Sequence, residues 1–179
     1  MEKYNGNYKK LFMKKSEKLG AISAELKAMY DEDQTMRRHY LSDKKNHKWD
    51  DSLDIRNTKR LQEIIQEIGW PSISKVSDNG AMHAWLLAQH ADHNLKFQKK
   101  CLALMKAEPQ GEVDTQDIAF LEDRIAVSEG RPQLYGTQFY DDSDGQTKPR
   151  PILDPENIEK RRKTMGLYSF EEYEKGMTA

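Results

Sequence analysis

A histidine placed on the apolar side of a helix is equipped to move protons or hold a ligand, and His90 is the candidate of that kind in this chain. The residues from Ala81 to Met105 have the pattern of one long helix. At ~100° per residue, Leu86, Leu87, Ala91, Leu95, Phe97, Cys101, Leu104 and Met105 gather into a single arc. His83, His90, Asn94 and Gln98 fall inside that arc. An unpaired polar group in such a place costs about 1–3 kcal/mol, so the line is either a satisfied internal network or the wall of a ligand site.

Two earlier helices repeat the oddity. Asp33 and Arg37 extend the apolar line of the first, and Asp54 and Asn57 extend that of the second. If the stripes converge as bundle packing demands, carboxylates, an arginine and a histidine meet in one place. In that reading His90 is the general acid/base, with Asp33 or Asp54 orienting it. The alternative is that polar stripe ends mark where each helix reaches solvent. Asp92 lies ~200° around the helix from His90 and is expected to serve another partner.

The remaining candidates bind rather than react. Arg37, Arg124 or Arg161 would hold a ligand's charge, since arginine forks suit carboxylate or phosphate groups. Asn94, Gln98, Asp123, Tyr135, Thr137 and Gln138 would contribute hydrogen bonds. Gly136, within Tyr135-Gly136-Thr137-Gln138, permits either close approach of a ligand or a hairpin irregularity. No metal set is assigned: His83 and His90 stand ~10 Å apart along a helix axis, too far for one ion, although His93 lies near His90. No cofactor is named by any motif, and glycine-rich phosphate loops and Ser or Cys nucleophile motifs are missing.

The elements that must position these groups are mostly helices. The first helix is expected from about Tyr8 to Tyr30, continuing toward Tyr40, on the face of Phe12, Leu19, Ile22, Leu26 and Met29. A solvated loop containing Trp49 leads to a second helix over Asp51–Ile68, stopped by Gly69-Trp70-Pro71. Ser77 or Asp78 is the expected N-cap of the long third helix, and Asp114–Glu129 forms a fourth. Residues 133–153 read as a hairpin and turn insertion, and 154–175 as C-terminal helices, with Asp154-Pro155 and the Ser169/Glu172 capping box as starts. The fold class is therefore mainly α: a single-domain helical bundle over 1–179 with a small β-hairpin near the C-terminal third, residues 1–7 being flexible.

Composition narrows the partners. A hydrophobic content of 36% beside 33% charged residues suits helices with long solvated faces, and a net charge of -1 gives no electrostatic footprint for nucleic acid. The lone Cys101 sits on the apolar arc, which favours a buried inert thiol and a reducing compartment. No run approaches the ~20 apolar residues of a membrane span. A soluble, cytoplasmic protein is expected, or an exported one if a leader preceded Met1.

As a set, Asp33-Gln34 with Arg37, Gly69-Trp70-Pro71, Gln89-His90-Ala91-Asp92, Phe97-Gln98 and Leu121-Glu122-Asp123-Arg124 resembles a family of small, mostly bacterial proteins of unknown function. Gln133, Tyr135-Gly136-Thr137-Gln138, Asp154-Pro155, Arg161-Arg162 and Gly166-Leu167 continue the resemblance, which runs from about Leu26 to Tyr173. It implies that the segments around His90, Asp123-Arg124 and Tyr135–Gln138 belong together, and that some relatives are exported; it implies no reaction. The chain departs from the family pattern at Ser74-Lys75-Val76-Ser77, where relatives often carry a Val-Gly step.

Two functions compete at this point. One is an enzyme, or a sensor built like one, acting on a small polar or anionic ligand through His90. The other is a protein-interaction module, immunity-like or adaptor-like, whose polar network is purely structural and whose anchors are Trp49, Trp85 and the hairpin tyrosines.

Overall fold

The computed structural model describes residues 2–178, with side chains described from residue 13 onward, so the Phe12 side chain and most of the segment 1–7 expected to be flexible lie outside the described side chains. Seven α-helices and one two-stranded hairpin are found among the described residues, in agreement with a mainly α bundle. The chain falls into two compact units, Met1–His90 and Ala91–Ala179.

The first unit is a three-helix assembly. Helix α1 (Glu2–Ser42) is longer than the periodicity predicts at both ends, and α2 (Asp51–Ile68) matches its expected span. Asp50 caps α2 by accepting the Ser52 N–H at 3.0 Å. Gly69 ends it at φ 74°, a conformation that suits glycine. Helix α3 (Ile73–Gln89) packs on α1 and α2. Ile22, Leu26, Leu53, Leu61, Ile64, Val76, Ala84 and Leu87 form the shared core, with Trp70 buried beneath the turn between α2 and α3.

Helix α3 is kinked at Ser77, which has φ 69° and ψ 168°, a region almost reserved for glycine. The kink frees the Val76 carbonyl, which accepts the Ser23 hydroxyl at 2.7 Å, while the Gly80 N–H turns to the Ser77 Oγ at 3.5 Å. The expected cap at Ser77 therefore sits inside α3, after an extra turn begun at Ile73. Strain of this kind costs about 1–3 kcal/mol, so Ser77→Gly should stabilise the first unit by about 1 kcal/mol. Trp70 fluorescence during urea unfolding reads this directly; a lower midpoint for the variant would show that the serine hydroxyl outweighs the strain.

The second unit begins where one long helix was expected. Helix α3 stops at Gln89 and α4 runs over Leu95–Ala107, so the predicted continuous helix from Ala81 to Met105 is broken between them. The reason is local: His90 takes a C-cap conformation, and the Asn94 side chain accepts the Phe97 N–H at 3.1 Å as the N-cap of α4. Helix α5 (Thr115–Ser128) packs on α4, capped by Asp114. Strands β1 (Phe139–Asp141) and β2 (Thr147–Pro149) pair antiparallel across the Asp142–Gly145 turn, shorter than the expected strands. A 3-10 turn at Pro155–Asn157 leads to α6 (Ile158–Thr164), and α7 (Phe170–Thr178) follows.

The two C-terminal starts fare differently. Asp154 precedes its helix in a left-handed conformation; its carboxylate accepts the Asn157 side-chain amide and caps no backbone N–H, while its carbonyl accepts the Asn157 N–H at 3.1 Å. Ser169 caps α7 by accepting the Glu172 N–H at 3.3 Å, and its own hydroxyl donates to the Glu172 carboxylate.

Candidate functional site

The first unit brings Asp33, Arg37, Asp54 and His90 into one hydrogen-bonded chain. Asp33 and Arg37, one turn apart on α1, form an ion pair in which the guanidinium Nε donates to both carboxylate oxygens at 3.0 and 3.2 Å. Arg37 Nη2 donates to Asp54 Oδ1 on α2 at 2.7 Å. His90, at the end of α3, places Nδ1 3.1 and 3.0 Å from the two oxygens of Asp33. The break after Gln89 thus moves His90 from the middle of a stripe to a helix end and aims its ring at α1.

Asp33 is fully buried, and three side-chain donors converge on it, from Gln34, Arg37 and His90. Burial works to raise its carboxyl, but His90, Arg37 and the Gln34 amide together outweigh that and hold it below the ordinary aspartate range. Asp54 moves the other way: burial dominates, Asp33 adds like charge, and Arg37 compensates only partly. An ionised carboxylate only accepts, so the His90 proton facing Asp33 sits on Nδ1. Nε2 makes no hydrogen bond within the described residues, and the side chain is 15% exposed.

Two neighbours complete this arrangement. Trp49, from the loop between α1 and α2, lies over the Arg37 guanidinium at 4.6 Å and meets the Tyr40 ring edge-on. Gln34 escaped the sequence reading because neighbours in a helix point ~100° apart, yet a long amide spans that angle. Its place in the Asp33-Gln34 pair was the available signal. His83, on the same apolar arc, stacks on Tyr30 with ring centres 4.4 Å apart, and burial lowers its basicity.

The second unit gathers Asp123, Tyr135, Thr137, Gln138 and Arg124. The buried Asp123 carboxylate accepts the backbone N–H groups of Leu134, Tyr135 and Thr137 at 2.6 to 3.1 Å, and the Thr137 hydroxyl at 3.0 Å. Burial pushes its carboxyl up, and those four donors pull it down without fully compensating. From Thr137 the network runs through the Gln138 amide to Arg124, whose fork grips Asp92 at 2.7 and 2.5 Å. Gln98 also donates to Asp92 at 3.2 Å. Tyr135 contacts Glu122 through its hydroxyl at 3.4 Å.

Two candidates are committed to the backbone. Arg161 donates to the carbonyls of Leu134, Leu153 and Asp154, and Asn94 caps α4. Arg162, which stands beside Arg161 in the sequence motif, is buried; it donates to the Tyr135 and Tyr168 carbonyls and lies over the Tyr173 ring at 5.0 Å.

Gly136 serves this loop rather than a ligand's approach. Its φ is 70°, and an added Cβ would come within 2.6 Å of Phe170 and 3.0 Å of Ile158. Gly136→Ala should destabilise the second unit by about 2–3 kcal/mol, read as a lower urea midpoint by tyrosine fluorescence. An unchanged midpoint would mean that α7 yields without cost.

Other features are quieter. Cys101 is buried and its thiol is pushed up to about 12, which leaves it inert at neutral pH. Among the described residues no three His, Cys, Asp or Glu side chains gather as metal ligands, and no helix is long and apolar enough to cross a membrane.

No curated protein and no solved structure matches the chain. A family model does, over residues 21–178, described as a family of unknown function (DUF6624). That span takes in every residue of both networks, from Asp33 to Arg161, and by it the chain belongs to this family of unknown function.

Proposed function

We propose that the first unit carries a proton-transfer site built on His90, acting on a small polar ligand. The observation that carries this reading is the Asp33–His90 pair. A buried carboxylate fixes the Nδ1–H tautomer, which leaves the Nε2 lone pair directed away from Asp33 and without a protein partner among the described residues. General acid/base groups elsewhere are oriented by the same device. Asp33 is then the orienting carboxylate. Arg37 acts through Asp33 and Asp54 and is not the holder of a ligand's charge, because its Nε and Nη2 already serve those two groups.

Local charge refines the ligand class. With a neutral imidazole, Asp33, Asp54 and Arg37 leave one net negative charge, which favours an uncharged or cationic polar ligand over an anion. The test is a thermal-shift screen of polar metabolites against wild type and His90→Ala, with turnover measured for each hit. Loss of about 10²–10⁴-fold in turnover in the variant is expected. A folded His90→Ala protein with full turnover would refute the reading.

The interaction-module reading keeps one observation in its favour. In the second unit Asp123, Thr137, Asn94 and Arg161 are occupied in holding the protein's own backbone. That unit supports a structural role for its polar network.

A further inference from the structure

We propose that the N-terminal part of α1, residues 2–16, is a docking surface for an anionic lipid bilayer, independent of the His90 site. The segment carries five lysines, Lys3, Lys9, Lys10, Lys14 and Lys15, against the single acid Glu2, in a chain whose net charge is -1. At ~100° per residue, Tyr4, Tyr8, Leu11 and Phe12 share one arc, and Lys3, Lys9, Lys10 and Lys14 fall outside it. A basic helix with one aromatic and aliphatic face has the pattern of a helix that lies in the membrane interface.

The same arc continues through Ile22, Leu26 and Met29, which are buried in the bundle. Neither α2 nor α3 is long enough to cover its first part in the same way. The ion pairs Arg37–Asp54, Glu32–Arg56, Glu25–Arg60 and Lys18–Glu67 show α1 and α2 running antiparallel. Glu67 stands one residue before the end of α2 at Ile68, so α1 runs on for about 22 Å past the last turn of its neighbour. Lys14 and Lys15 are exposed on this extension. Asn5, Gly6 and Asn7 are poor helix formers, so a helix here depends on burial of its apolar face. The family match starts at residue 21, which places the extension outside the matched span.

Charge selects the occupant. A second copy would set lysines against lysines, with one glutamate on each side to offset them. A nucleic acid would engage the lysines and leave Leu11 and Phe12 without a partner. Anionic headgroups answer the lysines, the acyl boundary takes Leu11 and Phe12, and tyrosines suit the level between them.

The test is co-sedimentation of the full chain with vesicles of phosphatidylcholine alone, or with about 30% phosphatidylserine. Binding to the anionic vesicles is expected, at least about tenfold weaker on pure phosphatidylcholine and lost in ~0.5 M salt. Lys9→Gln with Lys10→Gln should weaken it about tenfold, and Phe12→Ser by a similar factor. Both variants should keep the wild-type unfolding midpoint, and His90→Ala should bind vesicles as wild type does. Absent binding, equal binding to both vesicle types, or variants that bind as tightly as wild type would overturn the proposal. So would tighter binding to a single-stranded oligonucleotide, or a dimer in solution that Phe12→Ser dissociates.

Discussion

Replacing Asp123 by alanine is expected to unravel the loop at 133–138 and to destabilise the second unit by about 3–5 kcal/mol. The carboxylate is fully buried and is the common acceptor for three backbone N–H groups and one hydroxyl. Alanine would leave those donors without a partner in a place that water does not reach. Each unsatisfied donor costs about 1–3 kcal/mol, offset in part because the buried charge also disappears.

The effect should spread to Arg161 and Arg162, which bind the carbonyls of Leu134 and Tyr135 in the same loop. Asp123→Asn should fall between wild type and alanine, since its one carbonyl oxygen still accepts. The tryptophans, Trp49, Trp70 and Trp85, all lie in the first unit, so their fluorescence is a poor monitor. Amide exchange at Leu134, Tyr135 and Thr137 is the direct readout. Unchanged protection there in Asp123→Ala would contradict the network.

The second large effect concerns Asp33. Asp33→Ala removes the acceptor shared by Gln34, Arg37 and His90, leaving Arg37 with Asp54 alone, and should destabilise the first unit by about 3–5 kcal/mol. Asp33→Asn retains the shape and should cost less. Its effect on chemistry should be larger, because a neutral amide no longer stabilises an imidazolium and can face Nδ1 with its NH₂. A fall of about 10²–10⁴-fold in His90-dependent turnover is expected.

The acid response of stability separates the same carboxylate. Asp33 titrates below the ordinary aspartate value of 3.8 in the folded chain, so its stabilising contribution is complete above that value and is lost as pH falls below it. Asp33→Asn should flatten the decline in urea midpoint below about pH 4, measured by tryptophan fluorescence. An equally steep decline would assign the acid sensitivity to other groups.

What the sequence disclosed follows from which forces are local. The span of α2 was readable because Leu61, Ile64, Ile65 and Ile68 mark one face and Gly69 supplies the required left-handed end. Asp33 and Arg37 were readable as a pair through their one-turn spacing, and Asp54 through the stripe it extends. The break at 90–94 was not, because the apolar pattern runs unbroken through Leu87, Ala91 and Leu95 while the outcome turns on Asn94 capping α4. Asp123 was singled out for a ligand, yet its partners are backbone amides 11 to 14 residues onward. No helical period encodes such a contact. The kink at Ser77 was not readable either, because nothing in the helical period marks a serine that takes a φ of 69°, a conformation that suits glycine.

The most direct measurement is a long-range proton–nitrogen NMR correlation of the His90 ring, in wild type and in Asp33→Asn. Neutral His90 is expected to carry its proton on Nδ1 in wild type, with an unprotonated Nε2, and Asp33→Asn to abolish this preference. A neutral ring protonated on Nε2 in wild type, or a tautomer indifferent to the substitution, would contradict it.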